Sequence, residues 1–363
     1  MLRHLHSTSS DEPELRLQKT RFGWVIGASP TSQTAINTFH ATTAALQADL
    51  ARFWEIDEGP DTTHLSESVR LCEEHFRNHV RRTKEGRYVV ALPFNEKLSS
   101  LASSKAAAMS RLVSLHCRFQ RDNQYEAAYS TLIQEYLDLG HMTKINTDQS
   151  TDHGYYLSHH GVIKESSDTT KLWVVFDGSA SSTTGVSLND ALHTGPKLQE
   201  DLRNIFLRFR SFQYVLTGDI EKMYRQFIIR PEDRTYQKIL WRADNGEIET
   251  YRLNTVTFGL SAAPHLAIRC LKQLTEDEGP LFPIAAQILQ RDFYVDDALT
   301  GADTKDESLS VRNDLTKLLK LASLNIRKWA SNDRDLLRGL PEEDINKTLH
   351  LGESSTLKTL GVF

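Results

Sequence analysis

Apolar positions recur with different periods along the chain, and the changes of period mark its elements. Residues 1–28 form a polar leader followed by a short strand-like run at 22–27, and 29–64 reads as a connector, rich at its start in Ser, Thr, Ala and Gln. Residues 65–82 are helical in pattern. Helices rich in Ala, Leu, Lys and Ser fill 95–139 and stop at Gly140, a residue suited to the left-handed position after a helix. From residue 155 onward strand and helix patterns alternate. The runs 155–163 and 171–176 read as strands, and 197–210 places Leu198, Leu202, Ile205, Phe206 and Phe209 on one helical face. A strand at 212–217 delivers Asp219 at its end. Runs 237–241 and 248–253 flank Asp244-Asn245-Gly246, a hairpin signal. Pro264 opens a helix to about residue 278, 293–299 is a short hairpin, and 304–322 is amphipathic with Leu315, Leu318, Leu319 and Ala322 together. The expected class is α+β, without internal repeats.

Composition narrows this little. At 363 residues the chain can bury a large core, and 39% hydrophobic with 25% charged residues is ordinary for a globular protein. No apolar run approaches the ~20 residues of a membrane span, so no membrane partner is expected. The first residues lack the apolar stretch of a secretory signal. Three scattered cysteines, Cys72, Cys117 and Cys270, make no disulfide framework and favour an intracellular setting. A net charge of −5 argues against a small basic nucleic-acid clamp, though an acidic metal site can sit beside a basic groove.

The chemistry gathers at Tyr294-Val295-Asp296-Asp297. Adjacent carboxylates at a hairpin tip repel, and a divalent cation is their natural counter-charge. Such a string arises by chance in roughly 3% of chains this long, so it needs support from elsewhere. Asp219, at the end of a separate strand, supplies it. Two-metal phosphoryl transfer needs carboxylates from different segments converging on an oxygen-preferring ion, Mg²⁺ or Mn²⁺.

Gly218 to Tyr224, then Phe258-Gly259-Leu260-Ser261-Ala262-Ala263-Pro264, then Tyr294 to Asp297 resemble motifs A, B and C of reverse transcriptases, in that order. Flanking strings are similar to the BEL/Pao class of LTR retrotransposons: Tyr155 to Lys164, Val174 to Ala180, Gly185 to Asp190, Gly195 to Gln199 and Arg327 to Asn332. The resemblance runs from about Phe53 to Phe363. It implies an RNA-directed DNA polymerase of right-hand architecture, with helix-rich fingers mainly at 65–210 and an antiparallel palm mainly at 211–363. The chain would stop at the start of the primer grip (Leu357 to Gly361), before the thumb.

Position by position, the resemblance implies that Asp219, Asp296 and Asp297 are the catalytic, metal-binding carboxylates, with the Ile220 carbonyl completing one ion's shell. Lys222 and Met223 would offer backbone N–H groups to the triphosphate, and Tyr224 would be the gate that excludes a ribose 2′-OH. Phe258 and Gly259 would line the nucleotide and template, Lys164 would reach the triphosphate, and Lys328 or Arg327 would protonate pyrophosphate. The implied partners are dNTPs, an RNA or DNA template-primer duplex, and the thumb, RNase H and integrase domains of a polyprotein. The implied setting is a cytoplasmic virus-like particle or the nucleus, with DNA integration as the end of the cycle.

One position departs from the class. Where arginine usually grips a phosphate and stacks on the incoming base, this chain carries Trp173, which can stack but brings no charge. Leu17 to Trp24 resembles the C-terminal tail of the element's aspartic protease, but no Asp-Ser-Gly or Asp-Thr-Gly accompanies it, so no protease activity is expected. Two readings stand beside the enzyme. One is a catalytically inactive remnant that only binds nucleic acid. The other is a zinc module on Cys72, His75 and His79, which share a helical face but have no evident fourth ligand. His153, His159 and His160 read as surface or fingers histidines, and Arg77, Arg81, Arg82, Lys84 and Arg87 as a solvated face that could instead track template phosphates.

Overall fold

The computed structural model describes residues 15–20, 23–28, 67–146, 153–163, 172–243 and 245–346. The chain divides into two compact units, Met1–His64 and Leu65–Phe363. In the first, β1 (Leu15–Thr20) and β2 (Gly23–Ala28) form an antiparallel hairpin. The apolar pattern announces only the second of these strands.

In the second unit the order is α1 (Glu67–His79), β3 (Arg81–Arg82), β4 (Tyr88–Val90), α2 (Lys105–Phe119), α3 (Asn123–Asp138), β5 (Met142–Ile145), β6 (Ser158–Ile163) and β7 (Leu172–Asp177). Then come α4 (Leu202–Ser211), β8 (Tyr214–Ile220), the single turn α5 (Met223–Gln226), β9 (Ile228–Ile229), β10 (Lys238–Arg242) and β11 (Ile248–Leu253). The remainder is α6 (Ala263–Glu278), α7 (Pro283–Arg291), β12 (Phe293–Tyr294), β13 (Asp297–Ala302), α8 (Lys305–Leu321) and β14 (Ile326–Ser331).

A four-stranded antiparallel sheet, β12-β13-β8-β14, holds the motif-bearing strands. Two further antiparallel sheets are β10-β11-β5 and the β6-β7 hairpin, and a small β3-β4-β9 sheet includes one parallel pair. The architecture is a mixture of helices and mainly antiparallel sheet.

Local chemistry explains several boundaries. The Thr304 hydroxyl accepts the Glu307 N–H and donates to the Glu307 carboxylate at 2.9 Å, which starts α8. The side chains that this helix turns inward, Leu315, Leu318 and Leu319, are fully buried. Asp122 caps α3 by accepting the Tyr125 N–H, and Gly140 follows that helix at φ 69°. The helix expected from residue 197 begins at Leu202 instead, because Asp201 takes extended backbone and caps by accepting the Arg203 N–H. Of its predicted apolar face only Ile205 is buried. Likewise α1 stops at His79, and Arg81–Arg82 pair as a strand with β4.

Candidate active site

β8 runs through the middle of the four-stranded sheet, with β13 on one side and β14 on the other. Its register sets Asp219 opposite Asp297 of β13, and the Ile220 N–H donates to the Asp296 carbonyl at 2.8 Å. Asp296 itself occupies the two-residue turn between β12 and β13, where Tyr294 pairs with Asp297. Three carboxylates separated by up to 78 positions therefore meet at one end of the sheet's central strands. Burial, then the charge of Asp219, raises the Asp296 carboxyl to about 6. Burial, then the charges of Asp296 and Asp219, raises Asp297 to about 7. Ionising them therefore works against burial and like charge, and a bound cation would offset both.

Three of the four non-glycine residues with positive φ among the described residues surround this cluster: Val295 (57°), Lys222 (49°) and Lys328 (52°). For Val295 the left-handed region is costly because its side chain is β-branched, on the order of 1–3 kcal/mol. The strain is held by the flanking β12–β13 pairing and the Ile220–Asp296 bond. Lys328 sits in a bulge of β14, where Arg327 to Ala330 lies against Asp219 to Thr217, three steps facing two. The bulge aims Lys328 at the site, and its Nζ donates to Asp219 Oδ2 at 2.5 Å. Arg327 points elsewhere, to Glu221 and Asp344, both at 2.8 Å. Of the two basic candidates, only Lys328 reaches the carboxylates.

An aromatic wall leads away from the cluster. Tyr224 is buried, and burial followed by the Asp296 charge pushes its hydroxyl up to about 12. Its ring lies 4.5 Å from that of Phe258, which meets the Trp173 indole edge-on at 6.1 Å. Trp173 on β7 is 43% exposed, so it is not a core residue. Gly259 has φ 96°, and a Cβ there would stand 1.8 Å from the Phe176 carbonyl oxygen, so only glycine fits. Met223 and Ile220 have buried side chains, and the Lys222 ammonium pairs with Glu135 of α3. Lys164 and residues 357–361 lie outside the described residues.

Asp292 supports the site from below, and sequence patterns did not single it out. It is fully buried at the foot of the aspartate hairpin, and accepts from Arg208 at 3.1 Å, from Arg291 twice at 2.9 Å and from the Thr300 hydroxyl at 3.1 Å. Its carbonyl accepts the Leu299 N–H. The signal available was a charged pair, Arg291-Asp292, directly before an apolar strand. Arg225 was missed too. It is buried after Tyr224, stacks 3.7 Å from the Tyr136 ring and donates to that hydroxyl.

Other expected constellations do not assemble. Cys72 is buried in the core while the His75 and His79 rings lie 4.4 Å apart, tilted by 35°, and among the described residues no three His, Cys, Asp or Glu side chains enclose a metal as they stand. On this face Cys72 packs inward and the two histidines are half-buried. His159 is a core residue, not a surface one, bonded to the Tyr129 hydroxyl and the Leu240 carbonyl and held down at about 4 by burial. In the basic run, Arg82 binds Glu278 and the Leu321 carbonyl, and Arg87 binds the Gln226 and Arg225 carbonyls, so both are structural. Arg77, Arg81 and Lys84 are exposed. Among the described residues no helix is long and apolar enough to cross a membrane.

No protein-family model matches the chain, and no curated protein does. Among solved structures, it resembles the selenomethionine-labelled CSH mutant of prototype foamy virus protease–reverse transcriptase, with 16% identity and a TM-score of 0.43. The match covers 56% of this chain and 24% of that one, so this chain aligns with about a quarter of that protein's length.

Proposed function

We propose that the chain carries the polymerase site of a reverse transcriptase related to the BEL/Pao class. It would add dNTPs to a primer 3′-OH on an RNA or DNA template, with palm and fingers built from 211–363 and 65–210. The observation that carries this reading is the meeting of Asp219, Asp296 and Asp297 on adjacent strands, with Asp296 and Asp297 held toward the protonated form by burial and by neighbouring carboxylate charge. Such oxygen donors suit Mg²⁺ or Mn²⁺, which Asp219, Asp296, Asp297 and the Ile220 carbonyl would hold. The ions, when bound, lower the charge barrier for attack on the α-phosphate and for departure of pyrophosphate. Lys328, which donates to Asp219, would give a proton to that leaving group, and the Lys222 and Met223 amides and Lys164 would steady the triphosphate.

A second reading, nucleic-acid binding without turnover, is favoured by Trp173 in place of a phosphate-gripping arginine. Primer extension with Mg²⁺ or Mn²⁺ on an RNA template decides between them. Binding of the duplex without any extension, in both metals, sinks the enzyme.

Two variants probe the aromatic wall. Tyr224→Ala opens the space a 2′-OH needs, so the ratio of rNTP to dNTP efficiency should rise about tenfold or more, the scale of a removed steric block. An unchanged ratio in a folded variant returns Tyr224 to core packing. Trp173→Arg adds a planar charged fork on an exposed strand position. One charge-assisted contact contributes on the order of 1.5–3 kcal/mol, or roughly ten- to hundredfold in dNTP affinity. Because Trp173 is 43% exposed, the arginine stays hydrated and the melting temperature should hold. Unaltered dNTP affinity means that β7 does not face the triphosphate.

A further inference from the structure

The half-buried Asn189, in the loop between β7 and α4, joins two segments about seventy positions apart. Its Nδ2 donates to the Gly259 carbonyl at 3.0 Å and to the Ser179 hydroxyl at 2.8 Å. Its Oδ1 accepts the Ser261 N–H at 2.8 Å, and its own N–H donates to the Gly178 carbonyl at 2.8 Å. A side-chain amide on a short stem is the group that can do this, since it offers two donors and an acceptor in one plane. Aspartate of the same shape keeps the acceptor and loses both donors. The approach it bridges is tight. A Cβ on Gly178 would come within 2.7 Å of Asn189 Oδ1 and 2.9 Å of the Gly259 carbonyl.

The tethered loop begins at Phe258, whose ring has no polar group to anchor it. Its position follows from the backbone of Gly259 and from the Tyr224 and Trp173 rings on either side. The geometry points to Asn189 as a positioning residue for sugar discrimination: by fixing the 259–261 backbone to the turn after β7, it seats Phe258 behind Tyr224. This rests on the reading of Tyr224 as the gate. A residue that only stabilised the fold would affect ribo- and deoxyribonucleotides alike.

The test compares the full chain with Asn189→Asp and Asn189→Ala, measuring kcat/KM for GTP and dGTP in primer extension and amide exchange at Ser261. Asn189→Asp should raise the GTP-to-dGTP ratio about three- to tenfold, the loss of one or two hydrogen bonds, while Ser261 stays protected. Asn189→Ala should raise the ratio at least as far and expose the Ser261 amide to exchange. Should Asn189→Ala prove unable to fold, Asn189→Asp carries the test, because its half-exposed site tolerates a charge. A ratio that neither variant moves, in a parent chain that extends primers, overturns the inference alone. A parent chain that extends no primer overturns the polymerase reading and this inference with it.

Discussion

Asp219→Asn and Asp296→Asn should each lower primer extension by about 10³-fold or more while leaving duplex binding within a few-fold of the parent. Each removes one negative charge from the group proposed to hold the cations, and ligand-level charge stabilisation is worth several kcal/mol in such a transition state. Folding should not suffer. Asparagine keeps the shape, and the Lys328–Asp219 pair lost in the first variant is partly solvated, with its lysine 45% exposed, so it contributes at most about 1 kcal/mol. Removing the Asp219 charge also removes one cause of the raised Asp296 and Asp297 carboxyls, so both should titrate lower in Asp219→Asn. Duplex affinity, set mainly by phosphate contacts elsewhere, should fall steeply with salt in parent and variants alike. Parent-like extension in either variant rules out these carboxylates as the reacting centre.

Asp292→Ala should be the most destabilising single change near the site without touching it. The carboxylate is fully buried and joins Arg208 of α4, Arg291 of α7 and Thr300 of β13. Removing one partner from a buried pair costs about 3–5 kcal/mol, because the remaining charge is left without compensation. Arg208 and Arg291 keep 27% and 35% exposure and regain some water, which puts the loss near the lower figure, about 3 kcal/mol. For a unit of this size that is a fall of roughly 4–5 °C in melting temperature. Asp303→Ala, exposed one residue beyond β13, is the control and should shift stability by no more than ~0.5 kcal/mol. Equal melting temperatures for the two variants would falsify the view that Asp292 anchors the aspartate hairpin.

The sequence by itself determined what short range encodes. α8 was legible because its cap, Thr304 with Glu307, and its buried face, Leu315, Leu318 and Leu319, lie within one helix and obey one period. The β10–β11 hairpin followed from Asn245-Gly246, and Asp219 and the Asp296–Asp297 pair stood out because charge at a strand end or hairpin tip has few structural uses. Tertiary structure decided which chain segments meet and how side chains point. The pairing of Asp219 with Asp297 depends on a register that no local pattern specifies. Lys328 reaches Asp219 from a bulge of β14 at φ 52°, while Arg327, paired in register with Asp219, sends its side chain to Glu221 and Asp344. On α1, Cys72 is buried while His75 and His79 stay half-buried, because helical spacing reports a shared face but not what covers it. The roles of Asp292, Arg225 and Asn189 were hidden for the same reason: each is defined by partners on other segments, and partners distant in sequence are chosen by packing.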